Sequence, residues 1–469
     1  MVYLNQMAGN YLFKITVLIL IMATVAVAAL AIGLDKRQAT TLAIFSMSIL
    51  GALLFWECRV SFAFFGSSLL LLFRIITFQE FILLSSMEII LFLIGMMVIV
   101  GFLREIGFFA WILGKAIVIN MTARQLFIAL MFSSTIFACM LDEVTSIMLM
   151  LMLIFEISDY YEVNPVPFII ASVFATNVGS SGTVLGNPIG ILIATKASLT
   201  FEDFITHAFP LTMLSLAIIM LPLMFLFRKS IHELDARMKE FGSNDILAKL
   251  LNVPPEKKIK IGMVIFTITM IVIALHHRLE LLMGLELNTI LLITPLISAS
   301  CIMIWRHHKA RDYIEKDVEW WTLLFFIFLF AQSGSLMHVG IADFFANKLM
   351  TLVEGSRTIL VNIILFTRGT VSGVLDNVVV VAGFIPIVKE LVKLNAGYSV
   401  LWWALLFGAC FGGNMTIIGS TANIIAIGAL EKARKTSITF WEWLKPGLVI
   451  SVISLVVIWL LLLHLPYYQ

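Results

Sequence analysis

Twice in this chain, apolar sequence long enough to cross a bilayer is interrupted by residues that lipid cannot satisfy. The first copy sets Asp142-Glu143 in one apolar segment and Thr176-Asn177-Val178-Gly179-Ser180-Ser181-Gly182-Thr183-Val184-Leu185-Gly186-Asn187-Pro188 in the next. The second sets Leu375-Asp376-Asn377-Val378 and then Gly412-Gly413-Asn414-Met415-Thr416-Ile417-Ile418-Gly419-Ser420. Asp-to-Thr spacing is 183 − 142 = 41 in the first copy and 416 − 376 = 40 in the second, and the two acids lie 376 − 142 = 234 apart. Glu88 and Glu319, each opening an apolar segment, keep nearly the same offset, 319 − 88 = 231. Acids and Gly/Ser/Asn/Pro backbone at membrane depth are tolerated where they line a protein-walled or watery cavity. A duplication whose interrupted segments fall in matching positions points to a secondary transporter with its binding site at the interruptions.

The rest of the composition agrees. Of 469 residues, 61% are hydrophobic and 13% charged, and mean hydropathy is +1.04. Soluble domains carry about 25% charged residues, so the chain reads as an all-α polytopic membrane protein whose main partner is the lipid bilayer. A net charge of +2 implies no nucleic-acid partner. Cys58, Cys139, Cys301 and Cys410 form no close pair; they read as structural residues, with neither a disulfide framework nor a Cys-type metal site. No cofactor is implied beyond a coupling ion, Na+ or H+. The apolar run from Tyr11 to Gly33 is too long for a signal-peptide core and reads as the first span.

Runs of roughly 20 apolar residues predict spans near 11–33, 39–56, 60–78, 83–103, 208–227, 261–276, 286–305, 320–337 and 446–464. Between them lie two re-entrant hairpins, 125–158 and 358–391, and two broken helices, 166–198 and 399–430. Together they make about 11 transmembrane helices plus the two hairpins. Phe108 to Asn120 is short for a crossing and reads as interfacial. The expected organisation is a first repeat over 1–227, a polar cytoplasmic linker over 228–260 with eight Lys/Arg, and a second repeat over 261–469. The positive-inside rule places the N-terminus, the linker, 306–316 and Lys432 to Lys435 in the cytoplasm, with Lys36-Arg37 as the exception. That topology inverts one repeat relative to the other. Asp142 followed by Thr145 and Ser146 is a good helix N-cap sequence, which accounts for one acid and leaves Glu143 without a structural reason. Trp320, Trp321, Trp402 and Trp403 read as interfacial anchors.

These motifs resemble the ion transporter superfamily, which includes NhaD-type sodium/proton antiporters, ArsB-type arsenite permeases, the melanosomal P protein and, more distantly, citrate and dicarboxylate transporters. The likeness runs from about Glu88 to Leu444 and is closest to the P-protein/NhaD branch. It rests on Leu-Asp-Glu-Val-Thr-Ser (141–146), Thr-Asn-Val-Gly-Ser (176–180) with Gly186-Asn187-Pro188, Leu-Asp-Asn-Val (375–378), and Gly-Ala-Cys-Phe-Gly-Gly-Asn-Met-Thr (408–416) with Gly419 to Asn423. The resemblance implies two inverted repeats, transport by moving a core against a scaffold, and a possible homodimer. Where the family commonly has Asp-Asn at the first hairpin tip, this chain has Asp142-Glu143. Where it has Asp-Pro-Pro-Asn, this chain has Asn187-Pro188-Ile189-Gly190.

The candidate ion- or substrate-binding residues are Asp142, Glu143, Thr145, Asn177, Gly179, Thr183, Asn187, Asp376, Asn377, Gly412, Asn414, Thr416 and Asn423. Asp142, Asn177, Asp376 and Asn414 are the candidate Na+ ligands. Glu88, Glu319 and Arg368 stand as proton-path or structural residues, with Arg368 a candidate partner for Glu143 because a buried charge needs one. An acid that binds a proton when desolvated and yields it to an arriving cation makes a cation/proton exchanger. The expected function is therefore Na+(Li+)/H+ antiport by an elevator-like mechanism in a prokaryotic plasma membrane. Permeation of arsenite, antimonite or a citrate-like carboxylate is the alternative, and a passive channel differs by moving nothing uphill. An intramembrane aspartyl protease is a remote alternative, since neither Asp142 nor Asp376 lies in a Gly-x-Gly-Asp motif.

Overall fold

The computed structural model describes residues 2–55, 58–109, 111–112, 121–240, 257–434 and 436–465. Most of the expected interfacial segment (110 and 113–120), the middle of the linker (241–256, with Lys249) and Lys435 lie outside the described residues. Among the described residues every regular element is helical and there is no strand. Among the described residues seven helices are long and apolar enough to cross a membrane, or up to nine if two pairs bent by 65° and 104° each count as one span.

The chain packs into two compact units. One comprises Met1–Leu91, Glu319–Ser356 and Ala382–Tyr398. In it a polar thread runs through apolar helices. Arg59 Nη2 donates to Thr322 Oγ1 at 3.1 Å, and Gln332 Nε2 donates to the Ala63 carbonyl at 2.8 Å and to Ser67 Oγ at 3.1 Å. Glu88, second residue of helix Met87–Glu105, and Glu319, at the N-cap position of Trp320–His338, both belong to this unit. Glu319 accepts from Thr322 Oγ1 at 3.3 Å.

The other unit comprises Phe92–Val318, Arg357–Val381 and Ser399–Gln469. It contains the interrupted segments, and each breaks where the sequence changes character. Ala123–Met140 and Glu143–Tyr160 are separated at Leu141-Asp142; Val166–Gly179 and Pro188–Ala197 are separated over 180–187. Arg357–Ser372 ends before 373–376 and Asn377–Leu394 follows; Val400–Gly412 and Thr421–Arg434 flank 413–420. The halves of the broken helices are 14, 10, 13 and 14 residues long, each too short to cross a bilayer alone.

Three expectations change. The linker begins as a helix, Arg228–Glu240, because Ile231, Leu234 and Met238 recur at helical spacing and are buried. A helix over Ile341–Leu352, amphipathic and seated on Ile341, Ala342 and Ala346, follows the predicted span 320–337, its apolar residues too interrupted to read as a span. Trp402 and Trp403 are buried rather than interfacial, because Val400–Gly412 is enclosed on every side; Trp403 packs on Phe204 and stacks on His207 at 5.2 Å between ring centres. Trp320 and Trp321, by contrast, are exposed.

Helices approach so closely at two glycines that only a hydrogen fits. A Cβ at Gly179 would lie 2.4 Å from the Thr135 carbonyl oxygen, and one at Gly412 would lie 2.2 Å from that of Gly369. Overpacking of this kind costs about 1–3 kcal/mol. Gly179→Ala and Gly412→Ala should each lower the unfolding midpoint of the detergent-purified protein. Gly428→Ala, where nothing lies within 4 Å of the added carbon, should leave it equal or raise it, helical Gly being worth about 0.5–1 kcal/mol less than Ala.

Candidate functional site

The four breaks meet in one buried cluster inside the second unit. Two threonines fix each glycine-rich break to the neighbouring helix end: Thr183 Oγ1 donates to the Cys139 carbonyl, and Thr416 Oγ1 donates to the Gly373 carbonyl. Each hydroxyl also accepts a backbone N–H two residues on, from Leu185 at 3.2 Å and Ile418 at 3.3 Å. These are the same contacts at the repeat offset, 416 − 183 = 233 for the threonines and 373 − 139 = 234 for the carbonyls. Gly179 on Thr135 and Gly412 on Gly369 match in the same way.

Other contacts cross from one copy to the other, and they come in reciprocal pairs. Asn187 Nδ2 donates to Cys410 Sγ at 3.1 Å, and Ser420 Oγ donates to Asn177 Oδ1 at 3.0 Å. Since 420 − 187 = 233 and 410 − 177 = 233, each pair is the other with the copies exchanged. Residue i touching j while j's equivalent touches i's equivalent is the mark of a two-fold relation. Asn377 Nδ2 then approaches Glu143 Oε2 at 3.4 Å, and 377 − 143 = 234. Equivalent residues that touch one another lie on either side of the axis. Each is the first residue of its helix, so two helix N-termini face the same point.

The aspartates beside them are committed elsewhere. Asp142 caps its own helix, accepting from the Thr145 N–H at 2.9 Å and from Thr145 Oγ1 at 2.7 Å. Asp376 accepts from the Val378 N–H at 3.0 Å and from Thr421 Oγ1 at 2.8 Å, and so ties the starts of two helices together. Asn187 caps Pro188–Ala197 through the Gly190 N–H at 2.8 Å. Asn177 Nδ2 donates to Asn414 Oδ1 at 2.7 Å and Asn423 Oδ1 at 2.9 Å, while Asn423 donates to the Gly413 and Thr416 carbonyls at 2.7 and 2.8 Å. This amide lattice clamps the first broken helix to the second.

Glu143 is held differently. It is 3% exposed, and its polar contacts, Asn377 Nδ2 and Ser420 Oγ, both lie at 3.4 Å, with the one Ser420 proton shared with Asn177 Oδ1 at 3.0 Å. Ordinary N–H···O bonds are about 2.7–3.2 Å. Its partners are Asn377 and Ser420 rather than Arg368, which is completely buried on Arg357–Ser372 against Gly408. Among the described residues no lysine or arginine donates to Glu143, Asp142 or Asp376, and Asn377 Oδ1, fully buried, has no hydrogen-bond partner. Burying a carboxylate costs several kcal/mol even after relaxation, more than two long hydrogen bonds return.

Thirteen expected binding residues thus fall into one unit, as does Arg368, whereas Glu88 and Glu319 belong to the other. Gly179 and Gly412 sit at helix crossings, and Thr145 sits under the Asp142 cap. Cys410 and Ser420 were missed as site residues. The offset of 233 applied to Asn177 and Asn187 would have found both.

A profile of the citrate transporter family matches residues 58–351 and 327–467. The chain belongs to the citrate transporter family. An uncharacterized transporter of Mycobacterium tuberculosis is 32% identical over 383 residues, 79% of this chain and 84% of the relative. Another, from Synechocystis, is 26% identical over 424 residues, 84% and 90% of the two chains. The human P protein is 23% identical over 438 residues, 78% of this chain and 52% of its own length. A citrate transporter family member with this arrangement is a transporter of small solutes, in line with the resemblance its motifs carry.

The caps and the axis residue should separate on mutation. Asp142→Ala should cost about 1 kcal/mol of stability through the lost cap, while Asp142→Asn, which still accepts from the N–H of residue 145, should cost a few tenths. Thermal unfolding of the purified protein reads the difference; equal losses would mean that Asp142 is not acting as a cap.

Proposed function

We propose that this citrate transporter family member is a secondary transporter that exchanges a monovalent cation, Na+ or Li+, for protons, with Glu143 as the exchanging group. The carrying observation is the buried Glu143 carboxyl with two 3.4 Å contacts beside the unpartnered Asn377 Oδ1. A carboxyl at such a point holds a proton or a cation but not both, so arrival of one releases the other. The helix N-termini at Glu143 and Asn377 favour the anionic form while the cation is bound. The reciprocal contacts support a pair of inverted repeats around a site near the middle of the membrane. Elevator-like displacement of the repeat core, the motion the motif resemblance implies, then exposes that site to either side. The sequence alone offers Asp142, Glu143 and Asp376 as exchanging carboxylates; the committed oxygens of the two aspartates favour Glu143.

A second reading takes its support from the family's description and from the helix starts at Glu143, Pro188, Asn377 and Thr421. Helix N-termini bind carboxylates, so a citrate-like anion is the competing substrate. Against it stand Glu143's own charge and the lack of a basic partner for it.

Purified protein in liposomes, with an imposed inside-acid pH gradient and a pH dye, decides between the two. Na+ or Li+ should dissipate the gradient in the native protein and in Asp142→Asn, and not in Glu143→Gln. Silence to both cations with a response to citrate or arsenite would overturn the exchanger reading.

A further inference from the structure

The site is two-fold in its backbone contacts and asymmetric in its side chains. Across the axis, a carboxylate (Glu143) faces a carboxamide (Asn377), an amide (Asn177) corresponds to a thiol (Cys410), and an amide (Asn187) corresponds to a hydroxyl (Ser420). Glu143 and Asn377 each begin an 18-residue helix, and each follows an aspartate that accepts hydrogen bonds at that helix start. Their supports differ: Ser420 donates to Glu143 Oε1, whereas its equivalent, Asn187, spends its Nδ2 on Ser180 Oγ at 2.9 Å and Cys410 Sγ at 3.1 Å, and Asn377 Oδ1 has no partner.

Resting on the cation reading, we propose that the Glu143–Asn377 pair sets the valence of the transported ion. One carboxylate opposite one carboxamide takes a single monovalent cation, and Asn377 is the residue that rejects divalent ones. Both oxygens of Asp142, and both of Asp376, accept donors at the helix starts they adjoin, whose positive ends offset their charge. Glu143 is therefore the charge left for the ion. A monovalent cation on it makes a neutral buried pair; a divalent one leaves a net positive charge that the interior penalises. Hard divalent ions are bound through additional carboxylates and many oxygens. A second carboxylate at position 377 would sit on a helix N-terminus, where an acid is favoured. The two-fold relation adds a sharper consequence: the carboxylate should work from either side of the axis.

The test uses the full chain in liposomes, with Li+, Na+, Ca2+ and Mn2+ each added to an inside-acid gradient. Three variants are compared with the native protein: Asn377→Asp, Glu143→Asn, and the exchange of both side chains, Glu143→Asn with Asn377→Glu. Native protein should respond to the monovalent ions alone. Asn377→Asp should gain a Ca2+ or Mn2+ response at least about tenfold above native, equivalent to about 1.4 kcal/mol. The exchanged protein should regain at least about a tenth of the native Li+ response, about the same energy, where Glu143→Asn alone regains none. Size-exclusion profiles and unfolding midpoints establish that each variant is folded; if the exchanged protein is not, Asn377→Asp decides alone. A folded Asn377→Asp that stays blind to divalent ions overturns the valence assignment while leaving cation exchange standing. A native protein silent to every cation removes the cation reading itself, and the assignment with it.

Discussion

The four breaks of the site-bearing unit meet around one approach, that of Glu143 to Asn377 across a two-fold axis at 3.4 Å. Two residues that the duplication makes equivalent have been brought face to face at the starts of their helices, and only one of them is an acid. Had both remained carboxamides, the point would be a neutral polar contact with no reason to bind a charge. With a carboxylate on one side, a buried group is left whose protein contacts fall short of its desolvation cost. In the proposed exchange, an ion or a proton makes good that shortfall.

Holding that approach in place takes most of the other conserved-offset contacts. Gly179 and Gly412 let helices touch backbone to backbone, which brings the broken segments close enough for Thr183 and Thr416 to reach the carbonyls of Cys139 and Gly373. The amide lattice of Asn177, Asn414 and Asn423 then locks one broken helix to the other. Non-helical backbone survives at membrane depth because protein donors and acceptors satisfy it. The aspartates, which look like the obvious ion ligands, serve as the caps that let two helices begin there.

Much of this was legible in the sequence because the bilayer makes polar residues informative. Asp142, Asn187, Asp376 and the glycine-rich breaks stand out against apolar surroundings, and their repeat at 234 marks corresponding places. Asp142 with Thr145 reads as a cap and is one. What the pattern hides is which polar residue is satisfied. Glu143 meets partners more than 200 positions away and Asp376 meets Val378 and Thr421, so the two acids look alike until their hydrogen bonds are compared. Cys410 escaped because a lone thiol in an apolar helix looks like core, and only its equivalence to Asn177 places it in the site. The amphipathic helices Arg228–Glu240 and Ile341–Leu352 were overlooked for the opposite reason: neither is apolar all round, so neither resembles a span. Trp402 and Trp403 resembled interfacial anchors because tryptophan so often is one, and sequence carries no sign of what encloses a helix.

In the proposed exchange Glu143 carries a proton that a monovalent cation displaces. Infrared difference spectroscopy of the reconstituted protein, recorded with and without Li+ or Na+ in deuterated buffer, sees that exchange directly. The account predicts loss of one protonated-carboxyl band when the cation is added, present in native protein and in Asp142→Asn and absent in Glu143→Gln. A band that does not change with the cation, or one that still disappears in Glu143→Gln, would contradict it.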